Sequence, residues 1–121
     1  MARVMVVDDS PTDKEFLKAA LTRAGHSVFE ATSGQDALAL VRTLKVDCVV
    51  MDVVMPGMNG FQATRTMTRD PATAAIPVIV VSSKSQETDR VWALRQGARE
   101  YIVKPVQEAE LVGKVQHVLG G

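Results

Sequence analysis

Four short apolar runs constrain this chain more than any other feature: Val4 to Val7, Cys48 to Met51, Val78 to Val81 and Tyr101 to Val103. Each is continuous rather than alternating. A strand with one wet face alternates apolar and polar residues, so continuous runs indicate strands covered on both faces, as in a parallel sheet. A fifth segment, Ser27 to Ala31, alternates more and reads as an edge strand. Helical patterns fill the intervals. Phe16, Leu17, Ala20, Leu21 and Ala24 share one helical face, as do Ala37, Leu38, Val41 and Leu44. Leu111, Val112, Val115, Val118 and Leu119 form the stripe of a last helix, whereas two middle helices, near 59–69 and 85–96, are less clear-cut.

Local punctuation agrees with this division. Ser10-Pro11-Thr12-Asp13 offers a capping serine, a proline at the first helical position and an acid at the third. Ser33 and Asp36 repeat the capping-box spacing, and Gly25 can close the first helix in a left-handed conformation. Five strand–helix units with short connections imply an α/β fold, a doubly wound five-stranded parallel sheet with right-handed crossovers and helices on both faces. Nothing suggests a linker, a repeat or a second domain, so residues 1–121 are expected to form one domain without an effector domain.

Composition narrows the function classes. Hydrophobic content of 46% and charged content of 23% are those of a globular protein rather than a disordered one. Acidic and basic residues balance at 14 each, so no global field attracts nucleic acid or an anionic membrane. The single cysteine, Cys48, lies in an apolar run and reads as an inert core thiol in a reducing cytoplasm. The N-terminus meets Asp8 and Asp9 too early for a signal peptide, and no apolar stretch is long enough to cross a bilayer. A cytoplasmic location follows as the expectation.

The buried runs stop at polar residues: Asp8-Asp9, Asp52, Ser82 and Lys104. Any one of them could simply begin a turn or cap a helix. The set is harder to dismiss, because in an open parallel sheet the carboxyl ends of the strands form the ligand crevice. Three clustered carboxylates repel one another unless a cation lies among them. Oxygen ligands without histidine or cysteine suit a hard ion, and Mg²⁺ is the expectation. Lysine and hydroxyl groups are suitable partners for phosphate oxygens, and a carboxylate can itself accept a phosphoryl group. Asp52, single and central, is the candidate acceptor, and Asp8-Asp9 the candidate metal-holding pair.

"VMVVDDS", "VVMDVVMPGMNGF", "VIVVSSK" and "YIVKP", in this order and spacing, resemble the receiver domain of two-component response regulators, the CheY-like family. The resemblance covers essentially the whole chain. It implies a flavodoxin-like (βα)5 fold with strand order 2-1-3-4-5. It further implies that Asp9, Asp52 and the Val54 backbone carbonyl bind Mg²⁺, with Asp8 assisting from farther out or through water. Asp52 would accept the phosphoryl group from a phosphohistidine on a CheA-like sensor histidine kinase. Ser82 would hydrogen-bond that group and Lys104 would neutralise it. Tyr101 falls at the aromatic switch position, and the bond before Pro105 is expected to be cis. On phosphorylation Ser82 would draw its loop along and vacate space into which Tyr101 turns inward. The face formed by the fourth helix, last strand and last helix would then bind a downstream protein. "GFQATR", "IPVIVVSSK", "QETDRVWALRQGA" and "YIVKPV" further resemble single-domain regulators of pilus chemotaxis systems, which control twitching motility.

Other readings have less support. A phosphatase of the haloacid dehalogenase pattern carries a second carboxylate two residues after its nucleophile, where this chain has Val54. A flavin carrier would need a phosphate-cradling glycine-rich loop after the first strand. DNA binding lacks a helix-turn-helix or basic stripe. His26 and His117 have no second metal ligand nearby in sequence, and Met51, Met55 and Met58 read as gap-filling residues. Trp92 fits a core position or a partner surface equally well. Val54 and Lys84 stand where rapidly self-resetting receivers place polar residues that orient water, so a slow loss of phosphate is expected.

Overall fold

The computed structural model describes residues 1–120 and alternates strand and helix five times. Strands β1 (Arg3–Val7), β2 (Ser27–Ala31), β3 (Cys48–Asp52), β4 (Val78–Ser82) and β5 (Glu100–Val103) form one parallel sheet in the order β2-β1-β3-β4-β5. Helices α1 (Pro11–Arg23), α2 (Gly34–Val41), α3 (Gly60–Arg69), α4 (Glu87–Arg95) and α5 (Glu108–Val118) occupy the crossovers and the C-terminal end. The doubly wound architecture and strand order are those expected, with the alternating β2 at an edge.

The continuous runs are explained by two cores. Successive strand residues point to opposite faces of the sheet. Val4, Val6, Cys48, Val50, Ile79, Val81 and Ile102 pack with Leu17, Ala20 and Leu21 of α1 and with Leu111 and Val115 of α5. Met5, Val7, Val49, Met51, Val78, Val80 and Tyr101 pack on the other face with Ala37 and Val41, Ala63 and Met67, and Ala93 from α2, α3 and α4. Every residue of Val4–Val7, Cys48–Met51 and Val78–Val81 has 0% exposure. Each such side chain contributes about 1.5–3 kcal/mol by leaving water, so this scaffold can hold costly polar groups at its rim.

Helix ends follow their sequence cues. Ser10 Oγ accepts from the Asp13 N–H at 3.3 Å, and Pro11 opens α1. Ser33 Oγ accepts from the Asp36 N–H at 3.0 Å, while the Asp36 carboxylate takes the Thr32 N–H at 3.4 Å. Gly25, with φ +94°, follows the α1 cap. The α1 stripe is narrower than expected, because Phe16 and Ala24 are exposed. Ala24 is the cap residue beyond the last turn, and Phe16 flanks a cleft lined by Asp13, Lys104 and Pro105. The faint pattern of α4 has a plain cause: Ala93 is its only buried residue. In α3 the buried stripe is Gly60, Ala63, Thr64 and Met67, and the Thr64 hydroxyl is satisfied by the Gly60 carbonyl at 2.7 Å.

The turn from β3 into α3 is tightly built. Gly57 has φ +75°, and the Gly60 N–H donates to the Val53 carbonyl at 2.9 Å. A Cβ at Gly60 would overlap the Asp52 carbonyl oxygen, so α3 can approach the end of β3 only through glycine. Gly60→Ala is therefore expected to destabilise the fold by about 1–3 kcal/mol through overpacking. Gly113→Ala, inside α5 where an added Cβ meets nothing within 4 Å, is expected to stabilise it by about 0.5–1 kcal/mol. Urea unfolding of both variants checks the pair, and similar midpoints would contradict this reading of the turn.

Candidate functional site

The strand phase determines which polar residues meet. The ladder continues one residue past β1 and β5: the Asp8 N–H donates to the Ala31 carbonyl at 3.2 Å, and the Lys104 N–H to the Ser82 carbonyl at 2.8 Å. Alternation therefore carries Val4, Val6 and Asp8 to one face, as it does Cys48, Val50 and Asp52, and Ile102 and Lys104. Ser82 has the opposite phase, shared with Val78, Val80 and Tyr101. Asp8 and Asp52 lie at the carboxyl ends of the paired neighbours β1 and β3, the point at which strand order reverses.

One ammonium serves three carboxylates there. Lys104 Nζ lies 3.0 Å from Asp52 Oδ1, 2.9 Å from Asp13 Oδ2 and 3.5 Å from Asp8 Oδ2. Asp8, Asp9 and Asp52 each bring a carboxylate oxygen within 4.8 Å of the others. Asp8 Oδ1 accepts from the Ser10 N–H at 2.9 Å, but its buried Oδ2 has no hydrogen-bond partner among the described residues. The 3.5 Å separation from Lys104 gives that oxygen a charge neighbour without a good hydrogen bond. An orphaned buried acceptor costs about 1–3 kcal/mol, a cost that a cation at this point would remove. The all-oxygen donor set, with Asp9 on the solvent side, fits a hard divalent ion.

The electrostatics record the imbalance. Burial is the main force raising the Asp52 carboxyl to about 6; Lys104 opposes the rise, while Asp8 and Asp9 add to it. Asp8 is also raised, again chiefly by burial. Burial works against the Lys104 ammonium, yet Asp13, Asp52 and Asp8 together hold its pKa above the ordinary lysine range.

The model for response regulator receiver domains matches residues 4–116. The chain belongs to that family. Over 121 residues it is 55% identical to the protein PilH of Pseudomonas aeruginosa, each chain covering 100% of the other. The chemotaxis protein CheY4 of Vibrio cholerae superimposes with TM-score 0.91 at 28% identity, covering 98% of each chain. The receiver domain of the sensor histidine kinase PA1611 from Pseudomonas aeruginosa, solved with a magnesium ion coordinated in its active site cleft, gives TM-score 0.91 at 26% identity. That match covers 99% of this chain and 98% of the other.

Around the receiver's acidic cluster, the remaining candidates take distinct places. Ser82 is buried, and its Oγ accepts from the Lys84 N–H at 3.1 Å. The Tyr101 hydroxyl donates to the Lys84 carbonyl at 2.7 Å. Tyr101 is only 8% exposed, so its ring lies inward in this structure. The physical reason is its strand phase, which directs the ring into the core, together with a backbone acceptor for its hydroxyl. The Lys104–Pro105 peptide is cis. The side chains of Val54 and Lys84 are exposed, Val54 at 61%.

Trp92 is exposed beside Val91 and Leu94 on α4, which removes the core reading. Burial pushes the Cys48 thiol up to about 12, so it is an inert core group. His26 accepts from the Ala2 N–H through Nδ1 at 3.1 Å, and neither histidine joins the acidic cluster. The residue that the sequence reading did not place in the site is Asp13. Its spacing from Ser10 marked it as a capping acid, and no local signal announces a partner 91 residues away.

The raised Asp52 value yields a stability prediction. A carboxyl ordinarily near 3.8 and held near 6 in the fold binds more protons native than unfolded between those values. Stability therefore falls as pH rises through that window, and the full penalty applies above it. In metal-free buffer at pH 7, Asp52→Asn should stabilise the domain by about 1–3 kcal/mol, from the size of the shift. That advantage over wild type should shrink toward pH 4. Chemical unfolding across pH checks this; a variant less stable than wild type at pH 7 contradicts it.

Proposed function

We propose that the chain is a phosphorylation-controlled binding module whose acceptor is Asp52. The observation that carries this reading is the Lys104 ammonium 3.0 Å from the Asp52 carboxylate, inside a carboxylate cluster with an orphaned Asp8 oxygen. A carboxylate oxygen of Asp52 attacks the phosphorus of a phosphohistidine on a CheA-like sensor kinase. The new O–P bond forms as the N–P bond breaks, and the electron pair stays with the imidazole nitrogen. Asp9, Asp52 and the Val54 carbonyl would hold Mg²⁺, with Asp8 assisting, and the ion supplies charge neutralisation of the phosphoryl oxygens. Lys104 pairs with one phosphoryl oxygen. The Ser82 hydroxyl donates to another while still accepting from Lys84. No external substrate is turned over.

The output travels through contacts already made. The phosphoryl group carries nearly two negative charges, and the Ser82 hydroxyl turns to meet them. Ser82 is tied through the Lys84 backbone to the Tyr101 hydroxyl, so the inward ring is held more tightly rather than moved from outside. The Tyr101 strand borders α4, which exposes Val91, Trp92 and Leu94, while β5 exposes Val103. This α4–β5–α5 face is the proposed docking surface for a downstream protein. Residues 1–121 act as one receiver domain in the cytoplasm, without contacting nucleic acid. Similarity to PilH favours a chemotaxis-like pathway governing pilus-driven twitching motility.

Radiolabelled transfer from a phosphorylated histidine kinase tests this reading. Wild type should form a hydroxylamine-sensitive acyl phosphate that requires Mg²⁺, and Asp52→Asn should form none. Asp9→Ala should lose most of the transfer. Stable labelling of Asp52→Asn, or undiminished transfer in a chelator, contradicts the assignment. The label's lifetime is a second outcome. Val54 and Lys84 offer no carboxyl or amide to orient an attacking water, so loss of phosphate is slow. A positioned water is worth about tenfold to a hundredfold in rate. Val54→Asn and Lys84→Glu should speed decay at saturating Mg²⁺, and unchanged decay in both contradicts the role assigned to these positions.

A further inference from the structure

Asp13 makes the shortest contact of the Lys104 ammonium, 2.9 Å, yet it takes no part in the chemistry described above. Its backbone is fixed at the start of α1, where its N–H donates to Ser10 Oγ and Pro11 opens the first turn. Lys104 enters from the opposite side, one residue past β5, on a flexible four-carbon stem. Its ammonium spans from the nearly buried Asp52 side chain, 7% exposed, to the outer Asp13 side chain, 46% exposed. An ammonium has three donors, and here three carboxylates surround it. The Asp13 pair is therefore made while Lys104 stays 3.0 Å from Asp52, so the two contacts are compatible rather than alternatives.

We propose that Asp13 is a positioning residue for phosphoryl acceptance: it fixes the Lys104 ammonium beside Asp52 from the α1 side, so the positive charge is in place before a phosphoryl group arrives. Charge that needs no rearrangement in the transition state lowers the barrier, whereas an untethered lysine must be ordered during the reaction. The inference rests on Asp52 being the acceptor. Two simpler roles compete with it. Asp13 could serve only as an acid favouring the N-terminus of α1. It could instead withhold Lys104, so that its removal would speed the reaction.

Acetyl phosphate as donor, read by intact-mass spectrometry with saturating Mg²⁺, separates these roles. Asp13→Asn should slow acylphosphate formation by about threefold to tenfold, the size of coupling expected between contacting side chains. Asp13→Glu should keep most of the rate. In a Lys104→Met background, Asp13→Asn should have no further effect, because its action passes through the ammonium. An unchanged or faster rate for Asp13→Asn, or equal slowing with and without Lys104, overturns the proposal. Lysine-selective carbon NMR reads the contact without chemistry. The Lys104 Cε group should become more mobile in Asp13→Asn, and unchanged order overturns the proposal even if Lys104→Met reacts too slowly to follow. Labelling that survives Asp52→Asn would instead indict the acceptor assignment, so the two failures are distinguishable.

Discussion

The Lys104 ammonium stands among carboxylates that it cannot fully neutralise, and the rest of the site depends on that shortfall. Asp52, Asp8 and Asp13 all converge on one cation, while Asp9 adds a further negative charge at the mouth of the cluster. Left to relax, such side chains would turn to water. Asp8 and Asp52 do not, because the backbone of each continues a strand buried on both faces, while Asp13 is fixed in the first turn of α1. The apolar cores thus hold an arrangement whose electrostatics resist it. The measure of that resistance is an aspartate pushed up to about 6 and a buried oxygen without a donor. A cation is the addition that would relieve it.

The same sheet geometry explains how a change at Asp52 can be felt elsewhere. Ser82 sits on the opposite strand phase from Asp52, so it faces the layer containing α2, α3 and α4. Its hydroxyl is already bonded to Lys84, and Lys84 to Tyr101. A hydroxyl both donates and accepts, so it can take a new acceptor without surrendering the old donor. In the proposed switch, coupling acts by stabilising an existing arrangement. A phosphoryl group can shift a population only by its differential contacts with the two states, and the inward Tyr101 makes the required shift small. Helix α4, held by a single buried alanine, is the element with least packing to oppose it.

Much of this was legible in the amino-acid sequence because it is encoded locally. Continuous apolar runs announce buried parallel strands, and the residue at the end of each run marks the rim. The caps of α1 and α2 follow from Ser10 and Ser33. What escaped was nonlocal or masked by polar residues. Helix α3 was only partly legible, near 59–69, because its buried stripe includes Gly60 and Thr64, neither of which scores as hydrophobic. Trp92 fits core or partner surface equally well by sequence, and only the turn of α4 shows that it lies outside. The inward Tyr101 depends on a backbone carbonyl in another loop. Asp13 joined the site only through a lysine far along the chain, a pairing that no spacing rule expresses.

The central claim is that the carboxylate cluster is incomplete without a divalent cation, and thermal unfolding of metal-free protein during Mg²⁺ titration tests it most directly. Saturation should raise the midpoint by several degrees in wild type, as binding to the native state alone requires, and the rise should be largely lost in Asp9→Ala. An equal rise in both proteins, or none in wild type, would mean that Asp8, Asp9 and Asp52 do not form a cation site, and that the strain at Asp52 has another origin.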